Sequence, residues 1–280
     1  DDVESRGLGD VYKRQMFQVY INDLAKKIYS FHTVKSIISR ILKFGVSLEL
    51  LKSNPIRDIL LPKHTLPKSD RIKFIDQSDL KIFLDYLESK STVSYSYYFD
   101  MVLYKFFLAT GCRFGEVAAL EWTDIDFNEH TISVSKSYSK QVKMTGETKT
   151  KNGKRVIAID NKTINMLRMY RNRQRQLFIE IGGEVPTLVF ATFGSDNLNM
   201  TSRLISLEKR CKEAGVPRFT FHAFRHTHAS LLLNAGISYK ELQHRLGHSK
   251  ISMTLDTYSH LSPVKEKEAV IYYEKAINGL

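Results

Sequence analysis

Six of the nine histidines lie between His222 and His260, and that concentration marks this stretch for chemistry. His222 and His226 are four apart, a helical spacing that suits zinc. Arg225 stands between them, however, and no carboxylate or cysteine is close in sequence, so a metal cation would be repelled. A phosphate suits the same residues better. His222 and Arg225 share a helix face at three-residue spacing. They offer an anion one single donor and one planar fork. Upstream, Thr110-Gly111-Cys112-Arg113-Phe114-Gly115-Glu116 sets another arginine just past a glycine stop, at a helix start whose N–H groups also favour anions. Downstream, Leu246-Gly247-His248 opens a short segment that reaches Tyr258 in a polar Asp256-Thr257-Tyr258-Ser259 setting. Taken singly, each has a plainer reading. Arg113 alone is a helix cap or salt bridge, and Glu116 is a structural partner for a basic group. His226 and His228 pack or hydrogen-bond, His244 is a surface residue, and any one of the 14 tyrosines is ordinarily core.

The elements that must carry these residues are mostly helical. Ser78 to Ser89, Tyr97 to Thr110, Arg113 to Leu120 and Asn161 to Ile179 follow the helical period. Thr131 to Lys136 and Arg155 to Ile159 are rich in β-branched residues and predict two strands joined by a polar, lysine-rich hairpin, with a further short strand at Leu188 to Phe190. Helices dominate after that. Before residue 62 the apolar positions Val34, Ile37, Ile38, Ile41 and Leu42 make one helix face, with Lys35, Arg40 and Lys43 between them. Those three lysine and arginine side chains give the helix a basic side. Asn54-Pro55 closes the segment. Pro62 and Pro67, among Lys63, Lys68 and Arg71, predict an extended basic linker. The expected organisation is therefore residues 1–15 disordered or a sequence artefact, 16–62 a helical domain, 63–72 a linker, 73–262 a catalytic domain and 263–280 a terminal helix. The fold class is mainly α with a small antiparallel sheet, α+β.

Composition narrows the function. The chain has 280 residues, 42% hydrophobic and 26% charged, as in ordinary globular domains. No apolar run is long enough to cross a bilayer, and the acidic start, Asp1, Asp2 and Glu4, is not that of a secretory signal. Cys112 and Cys211 are too few for a disulfide framework and fit a reducing cytoplasm. The net charge of +12 attracts phosphate polymers but by itself favours a nucleic acid only modestly over a basic non-binding protein or one that meets acidic membranes. Alongside the phosphate-suited residues above, a nucleic acid becomes the expected partner, with no membrane and no small-molecule substrate.

Five pieces in order resemble the tyrosine recombinases, or phage integrases, over residues 70 to about 265 and less closely over 16 to 62. They are the Thr110–Glu116 box, a lysine on a β-hairpin, His222-Ala-Phe-Arg225-His226, Leu246-Gly247-His248-Ser249, and Tyr258 followed by Ser259-His260. The last two boxes are similar to those in integrases of phages and conjugative elements of Gram-positive bacteria. The resemblance implies a catalytic fold of that family preceded by a partial core-binding (SAM-like) helical domain whose early helices are missing. It implies bacterial, phage or mobile-element origin, and it makes Lys35, Arg40 and Lys43 candidate DNA contacts, with a merely solvated helix face as the equal alternative.

By the same resemblance, Tyr258 attacks a DNA phosphodiester and forms a 3′-phosphotyrosine link, later reversed by a 5′ hydroxyl. Arg113 and Arg225 hold the non-bridging oxygens and stabilise the charge that develops on them. His248 donates to the same phosphate, and His222 either accepts the tyrosine proton or positions the phosphate. A hairpin lysine protonates the leaving oxygen. Lys149 matches the pattern best, and Lys151 is the competitor and otherwise a DNA contact. No metal and no cofactor is required, and a homotetramer on double-stranded DNA, joined through the C-terminal tail, is expected. The alternatives are a DNA-binding remnant without activity, an enzyme like the type IB topoisomerases and, more distantly, a zinc-dependent nuclease.

Overall fold

The computed structural model describes residues 2–63, 74–139, 144–147, 153–193 and 197–259, with the backbone alone for residues 2–10, 144 and 147. The chain divides into two compact units, residues 1–70 and 71–280.

The first unit contains helices α1 (Asp2–Lys27) and α2 (Phe31–Ser47) and an irregular segment after them. Ile21, Ala25, Phe31, Ile56 and Ile59 form its core, with Phe17, Leu24, Ile38 and Leu42 packed around them. Side chains fasten the irregular segment. Gln18 Nε2 donates to Leu60 O at 2.8 Å while Leu60 N donates to Gln18 Oε1 at 3.0 Å. Asn54 Nδ2 donates to Ser39 O at 3.0 Å. Two expectations need correcting. The backbone is helical from Asp2, although residues 1–15, expected to be disordered or a sequence artefact, show no helical period. Once the packed turn around Ile21 and Ala25 exists, extending a helix costs little per residue. The α2 stripe is also wider than the core beneath it: Ile38 and Leu42 pack inward, whereas Ile37 and Ile41 are exposed.

In the second unit, α3 (Gln77–Lys90) starts at the Asp76 cap, whose carboxylate accepts from Ser78 N. The hydrophobic helix α4 (Tyr95–Thr110) crosses the core and stops at Gly111, whose φ of 63° is left-handed. A Cβ there would lie 2.6 Å from the His228 ring, so the position requires glycine. A short α5 (Phe114–Ala118) follows. Strands β1 (Ile125–Asp126), β2 (Thr131–Val134) and β5 (Arg155–Ala158) form an antiparallel sheet in the order β1-β2-β5, and β3 (Lys136–Ser139) pairs with β4 (Met144–Glu147) as a hairpin. Helices α6 (Asn161–Glu180), α7 (Met200–Ala214), α8 (Phe221–Asn234), α9 (Tyr239–Leu246) and α10 (Ile251–Tyr258) complete the described chain. The strand expected at Leu188 to Phe190 is not formed. Leu188 makes one isolated bridge to Glu121, and Val189 and Phe190 are buried. An apolar run this short anchors the core through its side chains without needing a strand partner.

Candidate active site

The end of α4, the start of α5, the N-terminal half of α8 and the turn after α9 meet at one place. Arg225, 1% exposed on α8, donates from Nη1 to Gly111 O and from Nη2 to Leu246 O, both at 2.7 Å. Arg113 approaches the same turn, with Nη1 3.5 Å from Leu246 O and Nη2 3.3 Å from Gly247 O. Both guanidinium groups thus sit on the carbonyl end of α9, where the helix dipole is negative. Glu116 fixes Arg113: it accepts from the Arg113 backbone N at 2.8 Å and from Nη1 at 2.9 Å. The same carboxylate takes a two-pronged contact from Arg155 on β5, at 3.1 and 2.9 Å. Burial pushes the Glu116 pKa up, but the hydrogen bonds and charge of Arg155, with help from Arg113, outweigh it and hold the carboxyl below its usual range. Burial, and next the Arg113 charge, bring Arg225 down to about 10.

Beside these arginines is a cavity of about 350 Å³ lined by Arg113, His222, Arg225, His226, His248, Met253, Asp256, Thr257 and Tyr258. Tyr258, 1% exposed at the end of α10, holds its hydroxyl 2.8 Å from His226 Nδ1. Burial pushes the phenol up to about 12, with Arg225 pulling the other way. His248 Nδ1 lies 2.9 Å from Thr254 Oγ1. With the hydroxyl donating, the neutral ring carries its proton on Nε2 as a donor. Burial, then Arg225, Arg113 and Arg155, lower His248 to about 4, so it is neutral at pH 7. Burial, then Arg225 and Arg113, also hold His222 below the ordinary imidazole value. A larger groove of about 620 Å³, lined by Tyr95, Met169, Asn172, Arg173, Gln176, Leu177 and Glu180, has no comparable convergence of charge on a nucleophile.

Five of the six expected catalytic side chains, Arg113, His222, Arg225, His248 and Tyr258, therefore line one cavity. Lys149 and Lys151 lie outside the described residues. The three basic side chains of α2 belong to the other unit. Lys35 donates to the carbonyls of Arg57 and Ile59 at 3.4 and 3.3 Å, which ties down the segment after α2, and Arg40 Nε donates to Ser36 O at 3.4 Å. Lys43 is exposed. Glu116 is structural, as its plain reading had it. His228 is a packing and hydrogen-bonding residue: Nδ1 donates to Leu108 O at 2.7 Å while Nε2 accepts from Arg245 Nε at 2.9 Å. This fixes its tautomer, and burial followed by the Arg245 charge lowers it to about 4. His226 was read only as a packing or hydrogen-bonding residue, and its partner proves to be the tyrosine. Its four-residue offset from His222 was the available signal, since it puts both rings on one face of α8. The rings meet edge to face at 4.5 Å. Thr254, Arg155 and Asp256 were not singled out, because their partners or neighbours are set by tertiary folding.

A mainly helical domain with a small antiparallel sheet, in which a tyrosine hydroxyl faces two guanidinium groups, fits a class of proteins that act on phosphodiesters through a tyrosine. Comparison with known proteins makes that class specific. Residues 73–264 match the model of the phage integrase family. A XerC-like tyrosine recombinase from Caldanaerobacter subterraneus subsp. tengcongensis is 29% identical over 280 residues, covering 93% of this chain and 70% of the relative. The ICEBs1 integrase of Bacillus subtilis is 30% identical over 262 residues, covering 90% and 67%. Among solved structures, the Tn1549 transposon integrase in complex with a circular intermediate DNA superposes with a TM-score of 0.71 at 21% identity, covering 92% of this chain and 84% of that one. The XerH recombinase bound to a palindromic difH substrate gives 0.64 at 18%, covering 93% and 72%. The chain belongs to the phage integrase family, the tyrosine recombinases.

Proposed function

We propose that this chain carries out site-specific DNA recombination, integrating or excising a mobile element by transesterification through Tyr258. The observation that carries the reading is the cavity that brings the Tyr258 hydroxyl to Arg113 and Arg225. Arg113 shares its ion-paired carboxylate, Glu116, with Arg155, Arg225 makes no ion pair among the described residues, and Asp256 is the one acidic side chain on the wall, so positive charge is in excess. A phosphate supplies the missing negative charge. Its non-bridging oxygens sit against the two guanidinium forks, and the Nε2–H of His248 donates to the same group. Tyr258 Oη attacks phosphorus, the 5′ oxygen leaves with a proton from Lys149 or Lys151, and the 3′-phosphotyrosine conserves the bond for rejoining. His222, beside both arginines, positions the phosphate. The substrate is double-stranded DNA. The subunits act as a homotetramer joined through residues 263–280, whose apolar positions Val264, Ile271, Tyr272 and Ala276 support that reading.

The test uses nicked duplexes drawn from the DNA that flanks the coding sequence. The wild-type chain should trap a covalent protein–DNA adduct. Tyr258→Phe should bind the same DNA in a gel shift and form no adduct. Binding without any wild-type adduct would instead identify a DNA-binding protein without strand-cleaving activity.

A further inference from the structure

The reaction needs a group that takes the proton from Tyr258. The tyrosine is 1% exposed, and burial pushes its pKa up to about 12. Spontaneous ionisation at pH 7 would then supply about one phenolate in 10⁵. The cavity offers several side chains, and their contacts separate them. Arg113 and Arg225 are donors only. His248 Nδ1 is occupied by Thr254 Oγ1. His222 and Asp256, the other possible acceptors on the wall, make no hydrogen bond among the described residues, and so none to Tyr258. His226 Nδ1 lies 2.8 Å from Tyr258 Oη, the atom that must attack. Its ring is held edge-on against His222 at 4.5 Å, Tyr258 at 5.5 Å and Phe74 at 5.9 Å. It also follows Arg225 directly on α8, so one helical turn carries both a phosphate-holding group and the contact to the nucleophile.

We propose that His226 is a catalytic residue, the acceptor that takes the phenolic proton of Tyr258 through Nδ1. The assignment rests on the recombinase reading of the site. For Nδ1 to accept, the neutral ring carries its own proton on Nε2. As the Oη–P bond forms, the phenolic proton passes to Nδ1, the P–O5′ bond breaks, and the 5′ oxygen takes its proton from the separate hairpin acid. In the rejoining step the imidazolium returns its proton to the departing phenolate. His222 is thereby left to hold the phosphate.

The experiment measures single-turnover adduct formation by the full chain on the nicked duplex between pH 6 and 9, for wild type, Tyr258→Phe and His226→Phe. Among the described residues, the titratable and charged groups that line the cavity with His226 are His222 and Arg225 on α8, Arg113 at the start of α5, His248, and Asp256 and Tyr258 on α10. Because all of them are common to wild type and the His226 variant, the rate ratio isolates His226. His226→Phe keeps the ring packing and removes the acceptor. Adduct formation should fall about 100-fold at pH 7, and the deficit should shrink at least about tenfold by pH 9 as solvent hydroxide takes over proton removal, with DNA binding unchanged. If this variant misfolds, His226→Ala rescued by added imidazole, in step with the neutral fraction of imidazole, is the equivalent result. A rate within threefold of wild type at every pH would overturn the proposal. So would a deficit that is the same at all pH values, or cleavage faster than wild type. An adduct that persists in Tyr258→Phe would instead overturn the underlying recombinase reading.

Discussion

Two arginine clusters in the catalytic unit are made of the same residue types and serve opposite ends. On the α4–α7 side, Asp100 is fully buried and accepts from Arg210 Nε at 2.8 Å, Arg203 Nη1 at 3.3 Å and Ser206 Oγ at 3.1 Å. Arg210 also reaches Glu213 at 3.1 Å and lies 3.6 Å above the Tyr97 ring. Two arginines face two carboxylates there, with the exposed Lys209 also reaching Glu213 at 3.9 Å, so each arginine has an acidic partner. At the tyrosine, Arg113 and Arg155 share Glu116, Asp256 lies on the cavity wall, and Arg225, which makes no ion pair among the described residues, rests on the carbonyls of Gly111 and Leu246. Removing one member of a balanced buried pair leaves an uncompensated charge and costs stability. A cluster with cationic excess already carries such a cost, and binding an anion relieves it. The difference separates a structural ion network from a phosphate site more sharply than the count of arginines does.

The largest expected break in this comparison is Asp100→Asn. It should lower stability by about 3–5 kcal/mol in urea unfolding while adduct formation per folded molecule is unchanged. Arg113→Lys should do the reverse. Lysine keeps the charge beside Glu116 but loses the fork. Cleavage should fall about 10²–10³-fold, with little change in the unfolding midpoint because the Arg113 side chain is 39% exposed. Gly111→Ala should damage both properties. Its φ of 63° and the clash with His228 cost about 2–3 kcal/mol of stability, and any shift of the Gly111 carbonyl moves Arg225.

The smallest effect is in pH dependence. His228 is neutral in the fold, with its value lowered to about 4 by burial and Arg245. The unfolded chain therefore binds the extra proton between about pH 4 and 6.5. This contribution to stability is complete above about pH 6.5 and is lost as pH falls toward 4. His228→Gln should remove about 1–2 kcal/mol of the stability difference between pH 7.5 and 5, measured as the change in urea midpoint. Glu116 acts at lower pH and with the opposite charge. Its carboxyl is held below the ordinary range, so its contribution is complete above the unfolded value near 4.5 and is lost as pH drops through the lower folded value.

Much of this architecture was legible in the residues because it is local. The 3.6-residue period marked α3, α4 and α6, β-branched residues marked β2 and β5, and Gly111 marked the end of α4. The boxes around Arg113, His222, Arg225, His248 and Tyr258 were legible because each combines residue type with short spacing. Pairings between distant segments were not. Arg225 meets Gly111 across 114 positions and His226 meets Tyr258 across 32, and no local period encodes either. The α2 stripe shows the same limit from another side. The pattern shows that Ile37, Ile38, Ile41 and Leu42 share a face, but not that only Ile38 and Leu42 meet the core of their own unit.

The central claim is that Tyr258, held at the cation-rich cavity, is the atom carrier for DNA. Mass spectrometry of the protease-digested adduct tests it most directly. The account predicts a nucleotide-bearing peptide modified at Tyr258. A nucleotide on Tyr272, on Tyr273 or on any other residue would contradict it.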